Sequence, residues 1–198
     1  MIVSLKLSPG AKISEKYLCE LVGMGRTPVR EALQRLAAEG TIVIAPRAGI
    51  VISEIDITDQ FRLIEVRREL ERIMAGRAAL LATPEERAKF TELAKDFNIA
   101  ADASDEDLFI TTDRDFNNLV AATARNKYAL LAMSAIQAQT RRFWYLYFKQ
   151  FGDLSKVSRL HASLALAISN GHEKGAIKAS DALIDYVEEY TTKTMKAV

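Results

Sequence analysis

Three arginines stand at positions 26, 30 and 35 of the stretch MGRTPVREALQR, with Pro28 between the first two. An arginine can bind guanine O6 and N7 through two parallel hydrogen bonds, or it can hold a phosphate. Arg26, Arg30 and Gln34 recur every four residues, so on a helix their side chains share one face. Pro28 falls in the first turn, where the N–H that proline lacks has no helical partner. The stretch therefore predicts a helix start that presents donors to a polar or anionic partner, with a merely solvated basic face as the alternative.

The flanking segments supply the elements that would position this helix. A helical pattern with Ser14 as N-cap covers residues 13–22, and its predicted apolar face consists of Tyr17, Leu18, Leu21 and Val22. A glycine-rich turn at 23–25 leads into the arginine-bearing helix, expected from about Thr27 to Glu39. Two β-branched runs, 42–44 and 50–52, then predict a hairpin. This order is that of a winged helix-turn-helix, whose second helix enters the DNA major groove with its N-terminal end.

Composition bounds the class of protein. The 198 residues are 49% hydrophobic and 27% charged, which is typical of a globular protein with a real core. No apolar run of membrane-spanning length and no signal-peptide pattern are visible, so we expect a cytoplasmic protein with no membrane partner. The single Cys19 excludes an intramolecular disulfide and is expected to be a buried structural residue. The net charge is only +1, so a nucleic-acid function must rest on where the basic residues lie.

The pattern changes near residue 56 and is helical from there on. Six helices are expected, over 57–82, 84–101, 105–123, 127–151, 155–170 and 173–196. The fold class is therefore mainly α, with a winged helix-turn-helix at residues 1–54 and an all-helical bundle at residues 57–198. The aromatic run at 143–148 is too continuous for one helix face, so part of it is expected to meet a neighbouring helix or a second subunit.

The N-terminal part resembles the DNA-binding domain of the GntR family of bacterial transcription regulators. The resemblance covers residues 8–53 and is most specific in the block RTPVREAL. It implies that Arg26, Thr27 and Arg30 contact the operator, that Lys16 binds a phosphate, and that Arg47, Ala48 and Gly49 form the wing tip in the minor groove. Gly25 stands where the family usually has Ser or Thr, which should weaken DNA binding modestly. The first helix of the family's domain is expected to be largely missing here.

The helical part resembles the FadR-type (FCD) effector domain of the same family, in its six-helix, VanR-like version. The segments that carry this resemblance are IEVRRELERIMAGRAA, TTDRDFNNLVAATARNKY and SRLHASLALAISNGHEKGA. It implies a homodimer on a palindromic double-stranded operator. It also implies a pocket for a small effector, commonly an organic acid, that changes the affinity for DNA. Arg67, Asp113, Asn117 and His161 are expected to line the pocket, with Arg67 as the candidate for holding a carboxylate.

Many relatives hold a divalent metal in this pocket through an Asp and three His. The matching positions here are Asp113, Asn117, His161 and Leu183. Asp113 and Asn117 lie one turn apart and share a face, but an amide is a weak ligand and leucine is none. A Zn²⁺ or Ni²⁺ site on Asp113, Asn117 and His161 is one interpretation, and an Asp113–His161 pair in a polar pocket is the other.

Two further functions are open from the residues alone. A helical metal-dependent enzyme could be built on Asp113 and His161, but no nucleophile–base pair or phosphate loop accompanies them, and we expect no enzyme. A non-DNA-binding adaptor that retains the fold is the second alternative, suggested by Gly25 and the missing first helix. The best-supported expectation is a ligand-responsive, DNA-binding transcription regulator.

Overall fold

The structure is a computed structural model that describes residues 1–45 and 49–197. Contacts between residues divide the chain into two compact units. The first combines Met1–Gln60 with Ser134–Gln150, and the second combines Phe61–Met133 with the residues from Phe151 onward. The domain boundaries expected from the sequence, 1–54 and 57–198, stay a prediction. In the structure, a stretch of the helical region packs with the winged unit.

Two helices form the helix-turn-helix of the first unit. Helix α1 spans Glu15–Val22, and the predicted N-cap is confirmed because Ser14 Oγ accepts from the Tyr17 amide at 3.1 Å. Gly23 ends α1 in the left-handed conformation, with φ of 67°. Helix α2 spans Arg26–Ala38 and begins after Gly25, whose N-cap position makes no side-chain hydrogen bond. Pro28 thus lies in the first turn of α2, as expected from its missing N–H.

The predicted apolar face of α1 is wrong in part. Leu18 and Cys19 pack against the core and are partly buried, whereas Tyr17, Leu21 and Val22 are exposed. Residues 2–10 form turns and bends rather than a helix, and Ile2, Leu7 and Ala11 pack on the core before α1. The side of α1 that carries Tyr17, Leu21 and Val22 therefore faces solvent.

A three-stranded antiparallel sheet follows the helix pair. Its strands are β1 (Lys12–Ile13), β2 (Ile42–Ala45) and β3 (Gly49–Ile52), in the order β1-β3-β2. The hairpin predicted from the β-branched runs is confirmed, with Ile42 opposite Ile52. Strand β1 was not predicted, because two residues carry no readable alternation.

The core of the first unit is formed by one side of α2 and the inner face of the sheet. Val29 and Leu33 of α2 are buried as the helical pattern predicts, and Leu36 and Ala37 pack against them. The sheet contributes the remaining buried side chains, which are Ile13, Ile42, Ile50 and Ile52. Burial of this set leaves Arg26, Arg30 and Gln34 on the exposed side of α2.

The expected six helices of the remainder are all present. They are α3 (Ile57–Leu81), α4 (Pro84–Ala103), α5 (Glu106–Ala124), α6 (Lys127–Phe151), α7 (Leu154–Ser169) and α8 (Glu173–Ala197). Local capping explains several starts. Thr83 and Glu86 form a capping box ahead of α4, and Asp105 and Asp153 cap α5 and α7.

Aromatic side chains fill the core of the second unit. Phe90 and Phe97 of α4 meet Phe116 of α5 with ring centroids 5.9 and 5.8 Å apart. The ring of His161, on α7, joins the same cluster. Among the described residues, no helix combines the length and apolar character needed to cross a bilayer.

Candidate functional site

The N-terminal end of α2 is the exposed feature of the winged unit that carries the predicted DNA-reading residues. Arg26, Thr27 and Arg30 are all exposed there. Gly25 at the N-cap leaves the first amides of α2 without a side-chain acceptor, and no acidic residue lies in the first turn. A helix start with free N–H groups and arginines favours an anion such as a phosphate.

Arg30 is held by a residue that the sequence did not single out. Its Nε donates to Glu15 Oε2 at 2.8 Å, from α2 across to the first turn of α1. The hydrogen bond and the charge of Glu15 raise the pKa of the Arg30 guanidinium. With Nε occupied, the two Nη groups remain available for a bidentate contact with a guanine edge. The Arg30 side chain is 63% exposed and that of Glu15 only 29%, so the carboxylate lies behind the arginine.

Lys16 and the wing complete the predicted contacts to DNA. The Lys16 side chain is 81% exposed in the first turn of α1, with Glu20 as a distant partner at 3.9 Å. Arg47 and Ala48 lie outside the described residues. Gly49 begins β3 with φ of 82°, and an added Cβ would lie 3.2 Å from the carbonyl oxygen of Ile13. Glycine is therefore required at position 49 by both its conformation and its close neighbour.

Three of the four predicted pocket residues meet in the second unit. Asn117 Nδ2 donates to Asp113 Oδ1 at 2.8 Å, and His161 Nε2 lies 3.3 Å from the same oxygen. His161 Nδ1 is 2.8 Å from the carbonyl oxygen of Val157. A carbonyl only accepts, so Nδ1 must carry a proton. Nε2 therefore faces the Asp113 carboxylate, and the contact is an ion pair when the imidazole carries both protons.

The surroundings of His161 are apolar. Its ring centroid lies 4.9 Å from that of Phe97, 5.4 Å from Phe109 and 6.0 Å from Phe116, and the side chain is buried. Asp113 is the partly exposed member of the pair. A buried polar ring among aromatics is stable only when its nitrogens are hydrogen-bonded, and Val157 and Asp113 provide this.

The donor set does not fit the metal site that the family resemblance suggests. Leu183, at the fourth position, is a buried hydrophobic residue that offers no ligand. Asn117 turns its NH₂ group, not its oxygen, toward Asp113. Among the described residues there is no cluster of three His, Cys, Asp or Glu side chains placed to hold a metal ion. Stable Zn²⁺ or Ni²⁺ sites use three or four strong donors, and the contacts here fit the alternative of a paired Asp113 and His161.

Arg67, which was predicted to bind the carboxylate of an effector, instead contacts a carboxylate of the protein itself. Its Nε donates to Glu71 Oε1 at 2.6 Å, one turn further along α3. Both side chains are largely buried. The guanidinium thus already has an internal carboxylate, and a ligand would have to displace or share it.

A separate open groove lies between α4 and α5. Its volume is about 600 Å³, its lining includes Leu93 and Leu119, and Lys89, Glu92 and Asp96 lie around it. None of the four predicted pocket residues lines this groove. Sequence reasoning did not predict it, because it depends on the packing of two helices.

Comparison with known proteins assigns both parts of the chain. Residues 1–52 match the gntR family of bacterial regulatory proteins, and residues 62–186 match the FCD domain. The chain is 33% identical over 110 residues to the HTH-type transcriptional regulator McbR of Escherichia coli K12. This match covers 56% of this chain and spans only 50% of the length of McbR. It is 26% identical over 167 residues to the HTH-type transcriptional repressor RspR of the same organism, covering 84% of this chain and 73% of RspR.

Solved structures show the same fold. E. coli McbR/YncC superposes with a TM-score of 0.83 at 20% identity, covering 98% of this chain and 92% of that one. A putative GntR transcriptional regulator from Rhodococcus sp. RHA1 has a TM-score of 0.70 at 18% identity, covering 97% and 92%. The winged helix-turn-helix and the helical FCD domain expected from the sequence are thereby confirmed.

Proposed function

The chain belongs to the proteins with an FCD domain, and its residues 1–52 match the gntR family of bacterial regulatory proteins; from these two domains we propose how it recognises DNA and its effector. The two domains together make it a ligand-responsive, DNA-binding transcription regulator. The proposal concerns the finer mechanism. A homodimer binds a palindromic operator through two copies of α2, and a small organic acid in the helical domain changes the affinity.

One observation carries the DNA-reading part of the proposal. The exposed start of α2 presents Arg26, Thr27 and Arg30 together, and Arg30 is oriented by Glu15 with its Nη groups available. In a helix-turn-helix this end of the second helix reaches base edges, while basic residues on the flanking elements contact phosphates. Lys16 has the exposure that a phosphate contact requires. Arg47 and Gly49 are proposed for the wing contact.

The effector part is supported by two nitrogen-bearing side chains that already face internal carboxylates. Arg67 is paired with Glu71, and His161 with Asp113. A carboxylate is the ligand chemistry that competes for such donors, so an organic acid remains our proposal for the effector. We place Arg67, Asp113, Asn117 and His161 in its pocket. Elemental analysis of the purified protein tests the metal interpretation, and a stoichiometric Zn or Ni content would favour it over the ion pair.

The remaining assignments follow from the family and stay proposals. The six helices α3–α8 agree in number with the six-helix, VanR-like version of the FCD domain. A regulator of bacterial DNA works where the DNA is, which is the cytoplasm. The named relatives are transcription regulators, so an enzymatic role has no support from them.

The decisive experiment is a binding titration on the DNA upstream of the protein's own gene. Wild-type protein should bind an inverted repeat there, with an affinity that falls as salt rises. Arg30→Ala should weaken operator binding roughly tenfold or more, because it removes a contact to a base edge. Arg35→Ala removes the same charge from the far end of α2 and serves as the matched control.

The outcomes separate the rival functions. An Arg30→Ala loss that Arg35→Ala does not share supports base reading by the start of α2. Equal losses of operator affinity for both variants would show that Arg30 contributes only through its charge. A wild-type protein that binds no operator at low salt would favour the adaptor alternative.

A further inference from the structure

Helix α6 carries a patch that packs on the winged domain. The helix runs unbroken from Lys127 to Phe151, yet its stretch Ser134–Gln150 belongs to the same compact unit as residues 1–60. Gln139 and Arg142 are three residues apart and therefore share one face of α6. Arg142 is fully buried, with 0% of its surface exposed.

Gln139 contacts the C-terminal end of the DNA-reading helix. Its Nε2 donates to the carbonyl oxygen of Glu39 at 3.2 Å, and Glu39 is the C-cap of α2. The last carbonyls of a helix have no partner within the helix, so this donor fills one of those positions. Gly40 follows in the left-handed conformation, and an added Cβ there would approach Gln139 Nε2 to 3.3 Å.

Arg142 links the same helix to the wing. Its Nη2 donates to the carbonyl oxygen of Ser53, one residue after β3 ends, and its Nη1 donates to Gln139 Oε1 at 3.0 Å. The two side chains thus form one connected set of hydrogen bonds. It touches the end of α2 and the end of β3 at once.

Burial of the Arg142 guanidinium costs free energy that a purely structural contact would not require. Arg142 Nε is buried without a hydrogen-bond partner among the described residues. Burial lowers the pKa of the Arg142 guanidinium, an effect that the charge of Glu54 partly offsets. An apolar side chain of similar volume often serves stability as well as a buried charge does. What the polar pair adds is direction, because the bond from Arg142 to the Ser53 carbonyl and the bond from Gln139 to the Glu39 carbonyl define where α6 meets β3 and α2.

We propose that Gln139 and Arg142 form a docking clamp through which α6 holds the recognition helix and the wing in one position. The clamp makes both side chains positioning residues for DNA recognition, although neither touches DNA. This inference rests on the proposed function in one respect, namely that α2 reads the operator as part of a dimer. With α2 held on α6, the dimer should accept a single spacing between half-sites.

The first test compares operators of different half-site spacing. Wild-type protein should lose roughly tenfold or more in affinity when one or two base pairs are inserted between the half-sites. For Arg142→Met and Gln139→Ala the penalty should be at least about threefold smaller than for wild type, because a released winged domain adapts to the longer span. A simple loss of folded protein lowers binding to every operator equally and leaves this ratio unchanged.

The second test needs no DNA. Amide hydrogen exchange should speed up at Thr41 and Ser53, whose amides bond to Leu36 and Thr41 carbonyls beside the clamp. Lys149→Met is the matched control, since it removes one charge from an exposed position of α6. If Arg142→Met does not fold, Gln139→Ala, at a partly exposed position, carries the test alone.

The results are distinguishable. Faster exchange and relaxed spacing in the clamp variants, but not in Lys149→Met, support the clamp. Unchanged exchange, or a spacing penalty equal to that of wild type, overturns it. If wild-type protein binds no operator, the proposed function fails, and the exchange experiment still decides whether the clamp holds the winged domain.

Discussion

Glu15 of α1 accepts a hydrogen bond from Nε of Arg30 on α2, at 2.8 Å. The pair connects the two helices of the helix-turn-helix on their exposed side. It occupies Nε of the guanidinium and leaves the two Nη groups for other partners. The contact therefore constrains how the arginine can approach a base edge, and it has consequences that can be measured.

Glu15→Ala should lower the preference for operator DNA over random DNA. Removing the carboxylate frees Arg30 to take many orientations, so operator binding loses a preorganised contact. The lost negative charge simultaneously favours binding to any DNA. We expect the ratio of non-specific to operator Kd to fall roughly fivefold or more in titrations at fixed salt.

Glu20→Ala is the control for that experiment. Glu20 lies on the same helix, is exposed and pairs with Lys16 at 3.9 Å, so its removal changes the charge but not the orientation of Arg30. An equal fall in the ratio for Glu20→Ala would show that charge alone explains the effect.

Asp113→Asn should destabilise the helical domain. In the wild type, His161 Nε2 lies 3.3 Å from an oxygen of the Asp113 carboxylate. The variant removes this charged partner, and the imidazole remains in an apolar environment. A loss of about 1–3 kcal/mol is expected in urea unfolding. Asp115→Asn alters an exposed carboxylate on the same helix, paired with Arg114 at the surface, and should change stability little. Stability unchanged by Asp113→Asn would argue against the ion pair.

Glu189 predicts a pH dependence at acid pH. It lies 2.7 Å from Lys156 and 2.8 Å from Lys193, and these contacts lower its pKa from 4.5 to about 2. A lowered pKa means that the folded state gains stability from the carboxylate above pH 4.5 and loses it as the pH falls through about 2. Wild type should thus be slightly more stable than Glu189→Gln at pH 7, and the difference should disappear near pH 2.

High salt provides the check on that comparison. All three side chains are about half exposed, so their interaction is screened by added ions. The stability difference at pH 7 should shrink in 1 M NaCl. A difference that persists unchanged in salt would point to packing rather than charge.

Leu5→Gly should stabilise the winged unit. Leu5 has φ of 54°, a left-handed conformation that costs a side-chain-bearing residue about 1 kcal/mol and glycine almost nothing. The expected gain, up to about 1 kcal/mol, is reduced by the larger entropy of glycine in the unfolded chain. Leu7→Gly, at a residue that packs on the core, should instead lower the melting temperature.

Local patterns predicted most of the secondary structure. The starts of α4, α5 and α7 were close to correct because their caps, Thr83, Asp105 and Asp153, act within one turn. Strand β1 escaped prediction because two residues show no period. The apolar face of α1 was wrong for Tyr17, Leu21 and Val22, because periodicity identifies an apolar side but not whether anything covers it.

The candidate sites divide in the same way. Helical spacing predicted that Arg26, Thr27 and Arg30 share the start of one helix and that Asp113 and Asn117 share another, because spacing along a helix is a local property. The long-range contacts could be identified only from the folded chain: Glu15 binds Arg30, Asp113 pairs with His161, and Gln139 and Arg142 bind the carbonyls of Glu39 and Ser53. These partners lie 15 to 100 residues apart in the chain, and their meeting depends on how the helices pack, which no local pattern encodes.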